Sequence, residues 1–65
     1  MMKIVIRLRN DDVIVFDDAG RQMPEHQGQY QDVKDEIREH AVTETLFLRW
    51  FGYDETPELV CKALW

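Results

Sequence analysis

Residues 2–9 alternate between apolar and polar side chains, with the period of two that a half-buried β-strand shows. Residues 10–12 are Asn and Asp, which favour turns, and the β-branched run at 13–16 follows them. These two segments together predict a β-hairpin. One side of its first strand carries Met2, Ile4, Ile6 and Leu8, and the other side carries Lys3, Val5, Arg7 and Arg9.

The segment after the hairpin predicts a turn, a short strand and one helix. Residues 17–20 have turn composition, and residues 21–23 predict a brief third strand that ends at Pro24, which has no N–H to donate. Residues 30–42 show the helical period, because their apolar positions fall within an arc of about 80°. We expect this stripe to pack on the Met2 side of the sheet. The stripe consists of Tyr30, Val33, Ile37 and Ala41.

The last third of the chain alternates again. Residues 45–51 predict a strand with Leu46, Leu48 and Trp50 on one side and Phe47, Arg49 and Phe51 on the other. Residues 57–65 fit two structures. The Thr-Pro-Glu sequence at 56–58 is a good helix start, and we favour a helix. As a strand, the segment would place Leu59, Cys61, Ala63 and Trp65 on one face.

This order of elements predicts an α+β fold in which a small antiparallel sheet packs on one helix in two layers. No repeat, linker or low-complexity stretch divides the chain, so residues 1–65 are expected to form a single domain. A chain of 65 residues buries only about 60% of the surface that its unfolded form exposes. We therefore expect it to complete its core by association, as a homodimer.

Composition excludes several classes of protein. The chain has 13 acidic and 8 basic residues and a net charge of -5, which argues against simple coating of nucleic acid or of an anionic membrane. The longest apolar run, residues 13–16, is far shorter than the roughly 20 residues of a membrane span. The charged start lacks a secretory signal, and the lone Cys61 fits a reducing compartment, so we expect a cytoplasmic protein.

The residues that could carry chemistry are few. The chain has no serine, so the only possible nucleophile–base pair is Cys61 with His26 or His40. The apolar neighbours of Cys61 predict a small core side chain instead. Glu36 and His40 share a helix face and His26 could approach them, but a metal site needs more ligands than that. We expect no catalytic residue, no metal, no cofactor and no enzymatic activity.

Two surfaces stand out as candidates for binding. An acidic stripe lies opposite the apolar stripe of the helix, where it could bind a cationic partner or simply be solvated. The second candidate is the sheet face that the predicted packing leaves outward, where cations alternate with aromatic rings. The acidic stripe consists of Asp32, Asp35, Glu36 and Glu39, and the basic-aromatic face consists of Lys3, Arg7, Arg9, Phe47, Arg49 and Phe51.

The sequence therefore predicts a small acidic protein-interaction or regulatory module that binds a protein partner, itself or both. The basic-aromatic face or the acidic stripe would be the contact surface. The alternative is a module that binds single-stranded nucleic acid, with cations on phosphates and rings stacked on bases. A competing interpretation of the basic-aromatic face is that Phe47 and Phe51 are covered by the C-terminal segment or by a second subunit.

Overall fold

A computed structural model describes residues 1–52 and 54–65 of the chain. The first two strands form the expected hairpin, and the helix follows a 3₁₀ turn at Pro24–His26. The elements in chain order are β1 (Met2–Leu8), β2 (Asp12–Asp17), β3 (Gly28–Gln29), α1 (Tyr30–His40), β4 (Leu46–Trp50) and β5 (Glu58–Val60).

The strands form one mixed sheet in the order β3-β2-β1-β4-β5. The α+β class and the packing of one helix on the sheet are confirmed. The expectation of an antiparallel sheet is wrong for the central pair, because β1 and β4 are parallel. The reason is the path of the chain. Strand β2 runs back to the end of the sheet where β1 begins, and the connection to β3 takes the chain again to the hairpin turn. Helix α1 then returns it to the end where β1 begins. A crossover of this kind makes the two central strands run in the same direction.

The prediction of a short third strand at residues 21–23 is wrong in its position. Gln22 makes only an isolated bridge with Phe16, and the third strand is Gly28–Gln29, which pairs with the start of β2. The predicted turn before it is present. The Asp17 carboxylate accepts hydrogen bonds from the backbone N–H groups of Arg21 and Ala19, each at 2.9 Å, and the bond from Arg21 is the largest cause of a lowered Asp17 pKa.

Helix α1 spans 11 residues and ends two residues before the predicted boundary. Its apolar stripe is confirmed, since Tyr30 and Ile37 are buried and Val33 and Ala41 pack partly buried against the core. Over the ranges 1–52 and 54–65, no helix has the length and apolar character needed to cross a membrane.

The helix packs on the opposite side of the sheet from the one expected. Val5 is fully buried and Phe47 is 4% exposed, whereas Ile4, Ile6 and Leu8 are only half-buried. The full set of buried apolar residues is Met2, Val5, Val13, Val15, Tyr30, Ile37, Phe47 and Trp65.

Side-chain size explains this choice of face. The strand positions under the helix are largely valines, whose small side chains leave room for the rings of Tyr30, Phe47 and Trp65. The larger Ile and Leu side chains of β1 alternate to the other side. Met2 is the exception, because the register changes from Met2↔Asp17 to Ile4↔Phe16 at a β-bulge and the extra residue lets Met2 join the core.

The C-terminal segment is a strand, so the favoured helix is wrong and the alternative is correct for Glu58–Val60. A helix this short is marginal unless it packs on other elements, whereas the strand is stabilised by its backbone pairing with β4. Residues 61–65 then turn inward, because the N–H groups of Leu64 and Trp65 both donate to the Cys61 carbonyl. Cys61 is exposed, which corrects the expectation of a core cysteine.

Truncation of Ile37, which is 0% exposed, tests this packing. We expect Ile37→Ala to lower the free energy of unfolding by about 2–5 kcal/mol, through lost burial and a cavity under the helix. Urea denaturation followed by circular dichroism measures this. Leu64→Ala is the matched control, because Leu64 is 70% exposed and its truncation should change stability by less than about 0.5 kcal/mol. Equal effects of the two substitutions would contradict the packing.

Candidate functional site

The side of the sheet away from the helix is a largely apolar surface, and no helix or strand of residues 1–52 and 54–65 packs on it; we call it the open sheet face. Its side chains form rows across the strands, because Ile6 lies between Ile14 of β2 and Leu48 of β4, and Leu48 lies next to Leu59 of β5. The open sheet face consists of Ile4, Ile6, Leu8, Ile14, Phe16, Leu46, Leu48, Trp50 and Leu59.

Three of the nine side chains of this face are exposed, and the other six are half-buried. Leu46 is 41% exposed, Trp50 38% and Leu59 62%, although large apolar side chains are normally buried in a folded chain. A depression of about 700 Å³ extends over the face from Leu8 and Trp50 to Phe16, and Arg9 also lines it. From the strand spacing and rise, the apolar area measures about 20 Å by 17 Å.

The composition of the open sheet face sets it apart from an ordinary solvated sheet surface. Among the strand positions that alternate to this side of β1, β2 and β4, the only charged residue is Asp12, at the start of β2, in a chain where 32% of residues are charged. Parallel strands such as β1 and β4 are normally covered on both faces, and contiguous apolar patches beyond a few hundred Å² mark interaction sites. The open sheet face therefore has the character of a contact surface.

The basic-aromatic residues predicted to face outward do not form an outward surface. Phe47 is buried against Trp65, with ring centres 5.2 Å apart. Arg7 stacks on the Tyr30 ring at 3.7 Å and pairs with Asp11 at 3.0 Å. These contacts correct the predicted orientation, because they place this side of the sheet under α1.

The remaining members of that set are divided between the two sides. Arg49 lies beside Arg7 in the parallel register and over the Phe51 ring at 4.6 Å, so the structure brings Arg7, Arg49 and Phe51 together. Lys3 is half-buried at the bulge of β1. Arg9 is exposed and lines the depression of the open sheet face.

Tyr30 lies at the centre of a cluster that also contains Arg7, Arg38 and Trp65, which we call the Tyr30 cluster. The sequence pattern identified Tyr30 only as part of the apolar stripe of the helix. Its hydroxyl donates to the Trp65 carbonyl at 2.8 Å and accepts from Arg38 Nη2 at 2.9 Å. The Nε atoms of Arg38 and Arg49 are buried and have no hydrogen-bond partner among the described residues. The cluster therefore ties α1 to the end of the chain.

The acidic stripe lies where it was predicted, on the outer side of α1. Asp32, Asp35 and Glu39 are exposed, and Glu36 is half-buried. Glu36 differs from the others because its Oε1 lies 2.5 Å from His26 Nδ1 and 3.6 Å from His40 Nδ1. In residues 1–52 and 54–65, none of the other three forms an ion pair.

The structure thus brings His26, Glu36 and His40 together, as the sequence spacing allowed. The two imidazole centres are 5.6 Å apart, and His40 Nδ1 also lies 2.9 Å from the Glu36 backbone oxygen. Across the part of the chain that the structure describes, no group of three or more His, Cys, Asp or Glu residues has an arrangement that could hold a metal ion. These contacts fasten the 3₁₀ turn to the helix.

Comparison of this chain with protein-family models, with curated proteins and with solved structures finds no match. Its candidate site is therefore defined by its own residues. A signal for the open sheet face was present in the sequence, because β1 and β4 each carry one apolar residue, Val5 or Phe47, on the side opposite their continuous apolar rows. Strands that are apolar on both sides are typical of a sheet covered on both faces.

Removal of the Tyr30 hydroxyl tests the cluster. Tyr30→Phe leaves the Trp65 carbonyl without its donor, and we expect it to lower the free energy of unfolding by about 1–2 kcal/mol. Chemical denaturation measures the loss. Arg38→Met in the same background is the check, because two groups that share one hydrogen bond should have non-additive effects. Full additivity would contradict the bridging role of the hydroxyl.

Proposed function

We propose that this protein is a non-enzymatic protein-interaction module and that the open sheet face is its contact surface. The observation that carries the proposal is an apolar face of about 20 Å by 17 Å on the side of the sheet away from the packed core, with Leu59 62% exposed to solvent. Burial of apolar surface contributes about 25 cal/mol per Å², so a partner of matching shape gains stability by covering it.

The acidic stripe has a secondary part in this proposal. Glu36 is engaged by His26 and His40, which leaves a solvated row of Asp32, Asp35 and Glu39. Contacts made by exposed charges weaken when salt is added, whereas apolar contacts do not. Binding through the open sheet face should therefore persist at high ionic strength.

The nucleic-acid alternative has weaker support. A reader of single strands needs exposed rings beside cations, but Phe47 is buried under Trp65 and Arg7 is stacked on Tyr30. Among the described residues, the only cation that lines the depression of the open sheet face is Arg9.

As part of the same proposal we place the protein in the cytoplasm, because Cys61 is an exposed free thiol that a reducing compartment keeps unpaired.

Photo-crosslinking in the native cells tests the proposed function. A photo-reactive residue in place of Leu48, at the centre of the open sheet face, should give adducts with protein, either a second copy or another chain. The same residue in place of Leu64, which is 70% exposed outside that face, is the matched control and should give few adducts. Absence of protein adducts at position 48, or adducts with nucleic acid there, would contradict the proposal.

A further inference from the structure

We propose that the occupant of the open sheet face is a second copy of this chain, packed face to face in a two-fold homodimer. This inference rests on the proposed function and names the partner. Two sheets of this kind pack about 10 Å apart with their strands roughly aligned. The dimer then has four layers, with α1 of each copy on the outside and the two sheets between the helices.

The area of the face fits a dimer of modest size. A stable interface buries about 1,200–2,000 Å² in total, or roughly 800 Å² from each partner. An apolar centre of about 20 Å by 17 Å covers roughly 340 Å² in projection. The relief of its side chains and rim residues such as Arg9 and Asn10 add accessible surface to this area. A small ligand in the 700 Å³ depression would contact the part of the face from Leu8 and Trp50 to Phe16 but would leave Leu46 and Leu59 exposed.

The chemistry of the face favours a partner with an identical face. A different protein recognised through charge would require charged side chains at the centre of the contact, and the charged residues of the open sheet face, Arg9 and Asp12, lie only at its margin. A two-fold axis places the same patch on both sides, so an apolar face is matched by an equally apolar one. The row Ile14, Ile6, Leu48 and Leu59 crosses four strands and supplies side chains for both halves of such a contact.

Charge repulsion does not oppose this dimer, although each copy has a net charge of -5. Asp32, Asp35 and Glu39 lie on the outer side of α1, away from the sheet. Two sheets and two helices separate the stripes by roughly 30 Å. This distance is well beyond the Debye length of about 8 Å at physiological salt, so the two stripes are screened from each other.

The sheet edges are poorer contacts than the face. The outer strands are short, since β5 has three residues and β3 has two. Beyond β3, the edge of β2 is already engaged: the Val15 N–H donates to Gln27 Oε1 and the Val15 carbonyl accepts from the Met23 N–H. Short and occupied edges do not support pairing of sheets between copies, which leaves the face as the site of association.

Sedimentation equilibrium of the purified full chain, from about 1 μM to about 100 μM, tests the proposal. We expect the wild type to sediment at twice the chain mass in the upper part of this range, in low and in high salt. Leu48→Lys should weaken the dimer at least about 100-fold, because the two-fold axis buries two unpaired ammonium groups. Leu59→Lys should weaken it as well, and its side chain is 62% exposed in the single copy, so folding of the monomer tolerates the charge.

Leu64→Lys is the matched control, since Leu64 is 70% exposed and lies outside the open sheet face, and it should dimerise like the wild type. Circular dichroism of each variant shows whether α1 is retained. If Leu48→Lys does not fold, Leu59→Lys gives the result. A monomeric wild type throughout the range, or a folded Leu59→Lys with an unchanged dimer, would overturn the inference. A monomer that still forms crosslinks to another protein at position 48 would leave the proposed function standing.

Discussion

The contact of Trp65 with Tyr30 and Phe47 joins three parts of the chain that are distant in sequence. Its ring centre lies 5.2 Å from each of the other two, its Nε1 donates to the Leu48 carbonyl, and its own carbonyl accepts from the Tyr30 hydroxyl. These bonds hold the chain end over β4 and under the start of α1. Because Trp65 is 1% exposed, its burial fills the space on the valine side of the sheet and completes the core there.

Because α1 and Trp65 complete the core on the valine side of the sheet, no helix of the described residues remains to cover the open sheet face. The structure has a single α-helix of 11 residues within the described part of the chain, and that helix is used on the side of Val5 and Phe47. The larger aliphatic side chains of β1 and β4 remain on the open sheet face. A domain of this size has little stability to spare, so burial of that face in a complex would add to a thin core. Under the proposed function, folding and association would be linked through the same sheet.

Local patterns in the sequence identified the hairpin, the helix and strand β4, because each depends on neighbouring residues and a short repeat. Local patterns could not predict which of the two faces of the strands is buried under the helix. Val5 and Ile6 are both apolar, and the choice between them depends on how Tyr30, Phe47 and Trp65 fit over valines. The strand at Glu58–Val60 depends on pairing with β4, and the parallel pair depends on the path of α1. These are long-range contacts that a local pattern does not contain.

The same reasoning applies to the candidate site. Arg7, Arg49 and Phe51 do lie together, as the alternation predicted, but the side of the sheet that they occupy was inverted. The central claim is that Ile37 shares one buried core with Val5 and Phe47, and we propose that Ile6 and Leu48 on the other side face another copy. An isotope-filtered nuclear Overhauser experiment on a mixture of labelled and unlabelled chains tests it most directly. The account predicts contacts of Ile37 with Val5 and Phe47 within a chain, and contacts at Ile6 and Leu48 between chains. Contacts of Ile37 with Ile6 and Leu48 within one chain would contradict it.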